Sequence, residues 1–207
     1  MAISALSPAQ IAQLSSTVIG GLTTTEIQSL SSTQIAAINS TAVAAITTTN
    51  VAALSTTQVK GLTAKQIPYF QNAVVFSAGQ LGVLANNQLD ALTTTQIVNL
   101  TTTAIAGLSS TQLGQLELTQ IKAFETTDIA ALTTTQLDGL LTTQVGALTA
   151  AQINAFTTAQ IQSLSNLQVK AIETANISGL TTTQAGNYTS TQLGGLTNAQ
   201  IAAFSTT

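Results

Sequence analysis

A unit of eight residues recurs through almost the whole chain, and a fold for this sequence has to give every copy an equivalent environment. The unit is plainest in Leu92-Thr-Thr-Thr-Gln-Ile-Val-Asn and Leu100-Thr-Thr-Thr-Ala-Ile-Ala-Gly. With positions lettered a to h, a is Leu, Ile or an aromatic, b is Ser or Thr, c and d are small and mostly hydroxylated, e is Gln, f is Ile, Val or Leu, and g and h are mostly small. Octads start at Leu6 and at every eighth residue to Leu62. A unit of only six residues, Phe70 to Val75, breaks the register, after which octads resume at Phe76 and continue to Leu196. The chain of 207 residues thus holds 24 octads, each with an apolar residue at a, and 18 of them carry Gln or Glu at e.

Ser or Thr followed three residues later by Gln or Glu is the capping box of a helix start. Position b is then the N-cap, and the apolar residues at a and f become the N′ and N4 pair of a hydrophobic staple. Ser7-Pro8-Ala9-Gln10-Ile11 fits best, because Pro8 falls at the first helical position, where a missing amide hydrogen costs nothing. Each octad therefore predicts one short helix over about c to h. A continuous helix would rotate the a and f pair by about 80° per octad and smear the apolar residues around its surface. A β-solenoid would need alternation with period two, whereas a and f alternate at spacings of five and three.

The expectation is an all-α solenoid of about 25 short capped helices over residues 1–207, one continuous repeat domain with its register break at 70–75. One octad buries about two large apolar side chains, too little to order eight residues alone, so stability must come from stacked neighbours. From Leu84 on, every second a residue is Leu, while the alternate set includes Phe76, Phe124, Phe156, Tyr188 and Phe204. That alternation predicts a coil of 16 residues, two helices per turn of the solenoid. Leu141 and Ala85 stand at b without a capping hydroxyl, and Thr142 or Asn86 are the expected substitutes. Glu117, Glu125 and Glu173 also replace the hydroxyl at b, where a carboxylate still favours a helix N-terminus.

Composition limits the functions available. Four Lys, no Arg and a net charge of −3 lack the basic footprint that neutralises phosphates, so no nucleic-acid partner is expected. No apolar run reaches the roughly 18 to 20 residues that span a bilayer, and Met1 to Leu14 has neither a basic n-region nor a sustained apolar h-region of a cleavable signal. The absence of Cys removes disulfides and thiolate metal sites. There is no His, and the seven acids, Glu26, Asp90, Glu117, Glu125, Asp128, Asp138 and Glu173, are scattered, so no nucleophile, base and orienter can be assembled. Asp-rich calcium loops are missing as well. No catalytic residue, metal site or cofactor is expected.

Two features are left as candidate sites. Pro68, Tyr69, Phe70 and Phe76 gather aromatics around the register break, in a chain with seven aromatics in all, as a bend of the solenoid or a binding pocket. Pro68 at g should weaken or kink its helix. The Thr runs at b, c and d offer a hydroxyl array for ice or carbohydrate, although d varies among Thr, Ala, Lys, Asn and Leu. Sequons at Asn39, Asn99, Asn176 and Asn187 are the number that chance supplies in a Thr-rich chain.

Units such as Leu6-Ser-Pro-Ala-Gln-Ile-Ala-Gln resemble the helix starts of bacterial effector and mitochondrial terminator-type DNA-binding repeats, which are far longer and basic. Over Leu6 to Thr207 the chain is more similar to Thr/Ala/Gln-rich octapeptide tracts of large bacterial surface or exported repeat proteins. That resemblance implies an extracellular or cell-surface structural role, exported without a cleavable N-terminal signal, with the cytosol left open. Neither Met1 to Ala5 nor Ile201 to Thr207 carries a polar capping repeat, which predicts head-to-tail self-association into a filament, sheath or surface layer. The alternatives are a segment of an adhesin-like protein with a cell-surface or matrix partner, and an ice- or carbohydrate-binding Thr array.

Overall fold

The computed structural model describes residues 2–70 and 76–204. These residues form 23 α-helices of four to seven residues and two 3-10 helices, and no strand is found among them. Most of the six-residue unit expected at 70–75 lies outside the described residues. The chain divides into two compact units, Met1–Gly107 and Leu108–Thr207, and each is a stack of short helices.

The octad's capping box is formed nearly throughout. In the octad beginning at Leu54, the Ser55 hydroxyl accepts from the Gln58 backbone N–H at 3.2 Å, and Gln58 Oε1 accepts from the Ser55 N–H at 2.9 Å. Helix Thr56–Gly61 follows and ends where Leu62 turns extended, at φ −60° and ψ 141°. Two successive extended residues, a and then b, make each corner. Where b lacks a hydroxyl, half of the box remains: Leu141 and Ala85 donate their N–H to Gln144 and Gln88 at 2.8 and 2.7 Å, and neither makes a side-chain cap. The glutamates at 117, 125 and 173 make no side-chain cap either.

The coil holds three helices and 24 residues, not the two helices and 16 residues that the Leu alternation suggested. In unit one, helix Thr56–Gly61 packs on Ser32–Ala37, which packs on Pro8–Ile11; in unit two, Asn166–Ala171 packs on Thr142–Ala147, which packs on Leu118–Lys122. Every third octad is therefore stacked, and the octads sort onto three sides. In unit one, side one carries those beginning at Leu6, Leu30, Leu54, Phe76 and Leu100, side two follows Leu14 and side three follows Leu22; in unit two, side one carries those beginning at Phe124, Leu148, Ile172 and Leu196, side two follows Leu108 and side three follows Leu116. The alternation misled because it matches no structural period: Phe124 lies on side one, Phe156 on side two and Tyr188 on side three, all buried alike. What sets the period is the reach of the Gln side chain at e.

Gln58 Nε2 donates to the carbonyls of Ile27 and Leu30, both at 2.8 Å, at the corner between two helices of the preceding coil. Gln66, Gln144, Gln152, Gln160, Gln168 and Gln192 repeat the pattern on the f and a carbonyls 31 and 28 residues behind them. These carbonyls sit at helix C-termini, which leave acceptors unsatisfied. One carboxamide thus caps its own helix with its oxygen and the ends of older helices with its NH2, so both of its polar atoms are bonded. Gln80, Gln88 and Gln96, whose preceding coil contains the short unit, reach back 29 and 26 residues instead and still find f and a carbonyls. The loss of two residues is absorbed within one coil.

The core consists of the a and f residues, with Phe76, Ile27, Ile67, Leu113 and Ile129 fully buried. Positions c and d are mostly exposed, as expected. The small residues at g and h are explained by stacking, because h rests on c of the coil before. A Cβ added to Gly61 would lie 2.5 Å from the Ser32 carbonyl oxygen, and one on Gly139 would overlap the Ser110 backbone.

Candidate functional site

The four residues at the register break do not converge. Phe70 and Phe76 are buried core residues at position a, their rings 6.2 Å apart and edge to face at 77°. Tyr69 is half-exposed and Pro68 exposed, both in the 3-10 helix Ile67–Tyr69 that replaces the α-helix of this octad. Proline has no N–H to continue an α-helical ladder, which accounts for the tighter turn. Gln66 keeps its place there, accepting from the Thr63 N–H at 2.7 Å and donating to Ile35 and Ile38. The aromatic pair fills the core beside the shortened unit, and only the Tyr69 ring is presented to solvent.

Titratable groups are sparse, and among the described residues no three acids lie close enough to hold a metal ion. Asp128 occupies e and is buried, accepting from the Glu125 N–H at 3.1 Å. Burial raises its pKa, that hydrogen bond opposes the rise, and the neighbouring Glu125 charge adds to it. Glu26, exposed at e of the octad beginning at Leu22, is held below the usual glutamate value by hydrogen bonds from Thr23, first from its backbone N–H and then from its hydroxyl. Burial pushes the Tyr188 hydroxyl up to about 12, and that hydroxyl has no hydrogen-bond partner. Tyr188 stands at a, three residues after Ala185, the one small residue at an f position, and its ring packs edge to face on Phe204.

A surface that the sequence reading overlooked lies on side three of unit two. Leu118, Leu141 and Leu167 occupy c, b and d of three successive coils there, 43%, 55% and 69% exposed, where other octads carry mostly hydroxyls or small residues. Between the first two is an open depression of about 290 Å³, lined by Gly114, Leu116, Glu117, Leu118, Leu141 and Thr143. At the edge of the same side, Lys122 and Lys170 at g are each followed three residues later by an exposed glutamate, Glu125 and Glu173. The signal was present in the sequence as leucine at positions that the staple and the core do not use. Leu141 stood out only as a missing cap.

Residues 121–158 match the ALTTAQ repeat family. No curated protein and no solved structure matches the chain. The six letters of the ALTTAQ description read onto the octad from h through e, as in Ala131-Leu132-Thr133-Thr134-Thr135-Gln136. In the structure that string is a small stacking residue, a core leucine, an N-cap, two exposed residues and the Gln that bonds the coil behind. The description of the ALTTAQ repeat therefore spells out the residues that make a coil and join it to its neighbour. No helix among the described residues is long and apolar enough to cross a membrane.

Proposed function

We propose that the chain is a structural, self-associating repeat protein, a building block of an extracellular filament, sheath or surface layer, and not an enzyme. The observation that carries this reading is the polarity of the Gln ladder. In each unit the e carboxamides that reach another coil donate to the coil before, and the f and a carbonyls that take these side-chain bonds receive them from the coil after. An uncovered coil face of this repeat is a set of donors on one side of the stack or of acceptors on the other. Contacts between unlike faces do not close on themselves, so they generate open polymers. A net charge of −3 over 207 residues offers little repulsion against such growth. A Cys-free, Thr-rich, charge-poor composition agrees with an extracellular setting.

The coil formed by the octads beginning at Leu6, Leu14 and Leu22 supplies the test. Its e residues are Gln10, Val18 and Glu26, all exposed, and neither Val18 nor a Glu26 carboxylate can donate to a carbonyl. Val18→Gln with Glu26→Gln completes a face of three carboxamides. The expected result is concentration-dependent growth of the wild-type protein in sedimentation, filaments or sheets by electron microscopy, and growth of the double variant at several-fold lower concentration. A wild-type protein that stays monomeric at high concentration, with no polymers on the grid, defeats the reading.

A further inference from the structure

We propose that the carboxyl of Glu26 makes the head-to-tail contact respond to acid, its charge opposing the contact at neutral pH and its protonation supplying a donor that the contact uses. The inference rests on the head-to-tail reading and adds its regulation. Glu26 stands at e in the octad beginning at Leu22, where the ladder uses Gln. Its Oε2 accepts from the Thr23 N–H and from the Thr23 hydroxyl, both at 2.8 Å, as Gln58 Oε1 accepts from the N–H and hydroxyl of Ser55 at 2.9 and 3.2 Å. The local bonds of the box are therefore made. What remains is Oε1, which corresponds to Gln58 Nε2, the atom that donates to the Ile27 and Leu30 carbonyls. Where the ladder carries an NH2, the exposed Glu26 presents an oxygen.

The chemistry of the opposite face decides the sign. Among the described residues no side chain donates to the carbonyls of Leu180, Tyr188 or Leu196, while Leu164 and Ile172, one coil back, receive from Gln192 and Gln200 at 2.8 Å. A carboxylate set against such oxygens loses its water and gains no donor, whereas the acid form donates its O–H to one of them. Closing the contact therefore favours uptake of one proton from solvent. No other charge competes there. Glu26 is the one ionisable side chain before Lys60, and no Asp, Glu or Lys follows Glu173. Helix Thr24–Ser29 packs on Ile3–Ala5 and Thr48–Ala53, which hold no ionisable side chain. Tyr188, its hydroxyl pushed up to about 12, stays neutral throughout. In the free chain the Thr23 N–H and then its hydroxyl hold Glu26 below the usual glutamate value, so it is charged at neutral pH. The contact raises that value, so growth strengthens as pH falls through the raised value and levels off below the free chain's lowered one. One proton per contact corresponds to at most about a tenfold change in association constant per pH unit.

The experiment follows the concentration at which the whole chain begins to grow, by sedimentation and electron microscopy at half-unit steps from pH 7.5 to pH 4, for wild type, Glu26→Gln and Asp138→Asn. Wild type is expected to need about tenfold more protein or above at pH 7 than at pH 4.5, and its growth should reverse when neutral pH is restored. Glu26→Gln has its NH2 at every pH, so it should grow at pH 7 at the concentration that wild type needs in acid, with no further gain on acidification. Asp138→Asn removes the same unit of charge from an exposed position in the octad beginning at Leu132 and should keep the wild-type profile, which separates Glu26 from the general loss of charge towards the isoelectric point. Helical circular dichroism of the same samples should not change. Polymers whose onset shifts with pH alike in wild type and Glu26→Gln, or shifts in neither, overturn the proposal and leave the head-to-tail reading standing. No polymer from either chain at any pH removes both.

Discussion

The side-chain amide of Gln58 donates to the main-chain carbonyl of Leu30 at 2.8 Å, across 28 residues of sequence. Its oxygen is occupied at the same time by the N–H of Ser55, three residues before it. One residue therefore closes a local turn and a long-range joint, and the repeat's length follows from both. Asn50 and Asn176 show what shortening costs. Each donates to one carbonyl, Leu22 and Leu148, and neither accepts the N–H of its own cap residue in the way that Gln58 does.

Gln58→Glu separates the two roles. A carboxylate still accepts from Ser55 but has no NH2 for Ile27 and Leu30, and it faces their oxygens while buried. A loss of about 1 to 3 kcal/mol at neutral pH is expected, the usual cost of leaving buried partners unpaired. Such a group would have its pKa raised by folding, so the loss sets in as pH rises through that raised value and fades as pH falls below about 4.3, the ordinary glutamate value. Gln10→Glu, exposed at the same octad position, should change little. Urea unfolding at pH 7 and pH 4 measures both, and equal losses at 10 and 58 would contradict the ladder.

Helix starts, core positions and exposed positions were legible in the sequence because they depend on residues within one octad, such as Ser55, Gln58 and Val59. The coil length was not, because the residues that set it lie in different octads. A clue was available in the composition of e: 17 of the 24 octads have Gln and one, Glu26, has Glu, although either residue completes a capping box. That bias points to a needed NH2 donor, and its exception falls where the side chain is exposed. The aromatics at Phe70 and Phe76 drew attention by rarity, whereas their positions at a already marked them as core. The leucines at 118, 141 and 167 become a surface only once the three-sided coil aligns them.

Stacking predicts opposite outcomes for two glycines. A Cβ on Gly139 would run into the backbone and side chain of Ser110, whereas nothing lies within 4 Å of one on Gly194. Gly139→Val should cost about 1 to 3 kcal/mol or more through overpacking. Gly194→Ala should stabilise by about 0.4 to 1 kcal/mol through the unfolded chain. Thermal unfolding followed by circular dichroism decides it, and matching effects at the two sites would refute the packing of h on c.

Tyr188 is expected to be better replaced. Its hydroxyl is buried without a partner, while its ring packs edge to face on Phe204 at 5.3 Å. Tyr188→Phe keeps the ring contact and removes a group whose burial costs about 1 to 3 kcal/mol when unsatisfied. A higher melting temperature is expected, and a fall in stability would mean that the hydroxyl is bonded in solution. Ultraviolet titration of the wild-type chain should show this phenol ionising near 12, above the ordinary value of 10.0.

Asp128 gives the clearest dependence on pH. It takes the place of Gln at e, buried, with its pKa raised above 3.8 chiefly by desolvation; the Glu125 N–H opposes the shift and the Glu125 charge reinforces it. A raised folded-state pKa means that the folded chain holds the proton more tightly than the unfolded chain. The stabilisation is then complete below 3.8 and is lost as pH rises through the folded value, so at neutral pH the buried charge is a penalty. Asp128→Asn keeps an oxygen for the Glu125 N–H and removes the charge. It should raise the melting temperature at pH 7, and the gain should shrink as pH falls towards 3.8. Glu125→Gln, which removes the neighbouring charge but not the burial, should move the same profile less. Melting curves at half-unit steps from pH 3 to pH 7 test the sign, and an Asp128→Asn chain that gains stability only in acid would reverse it.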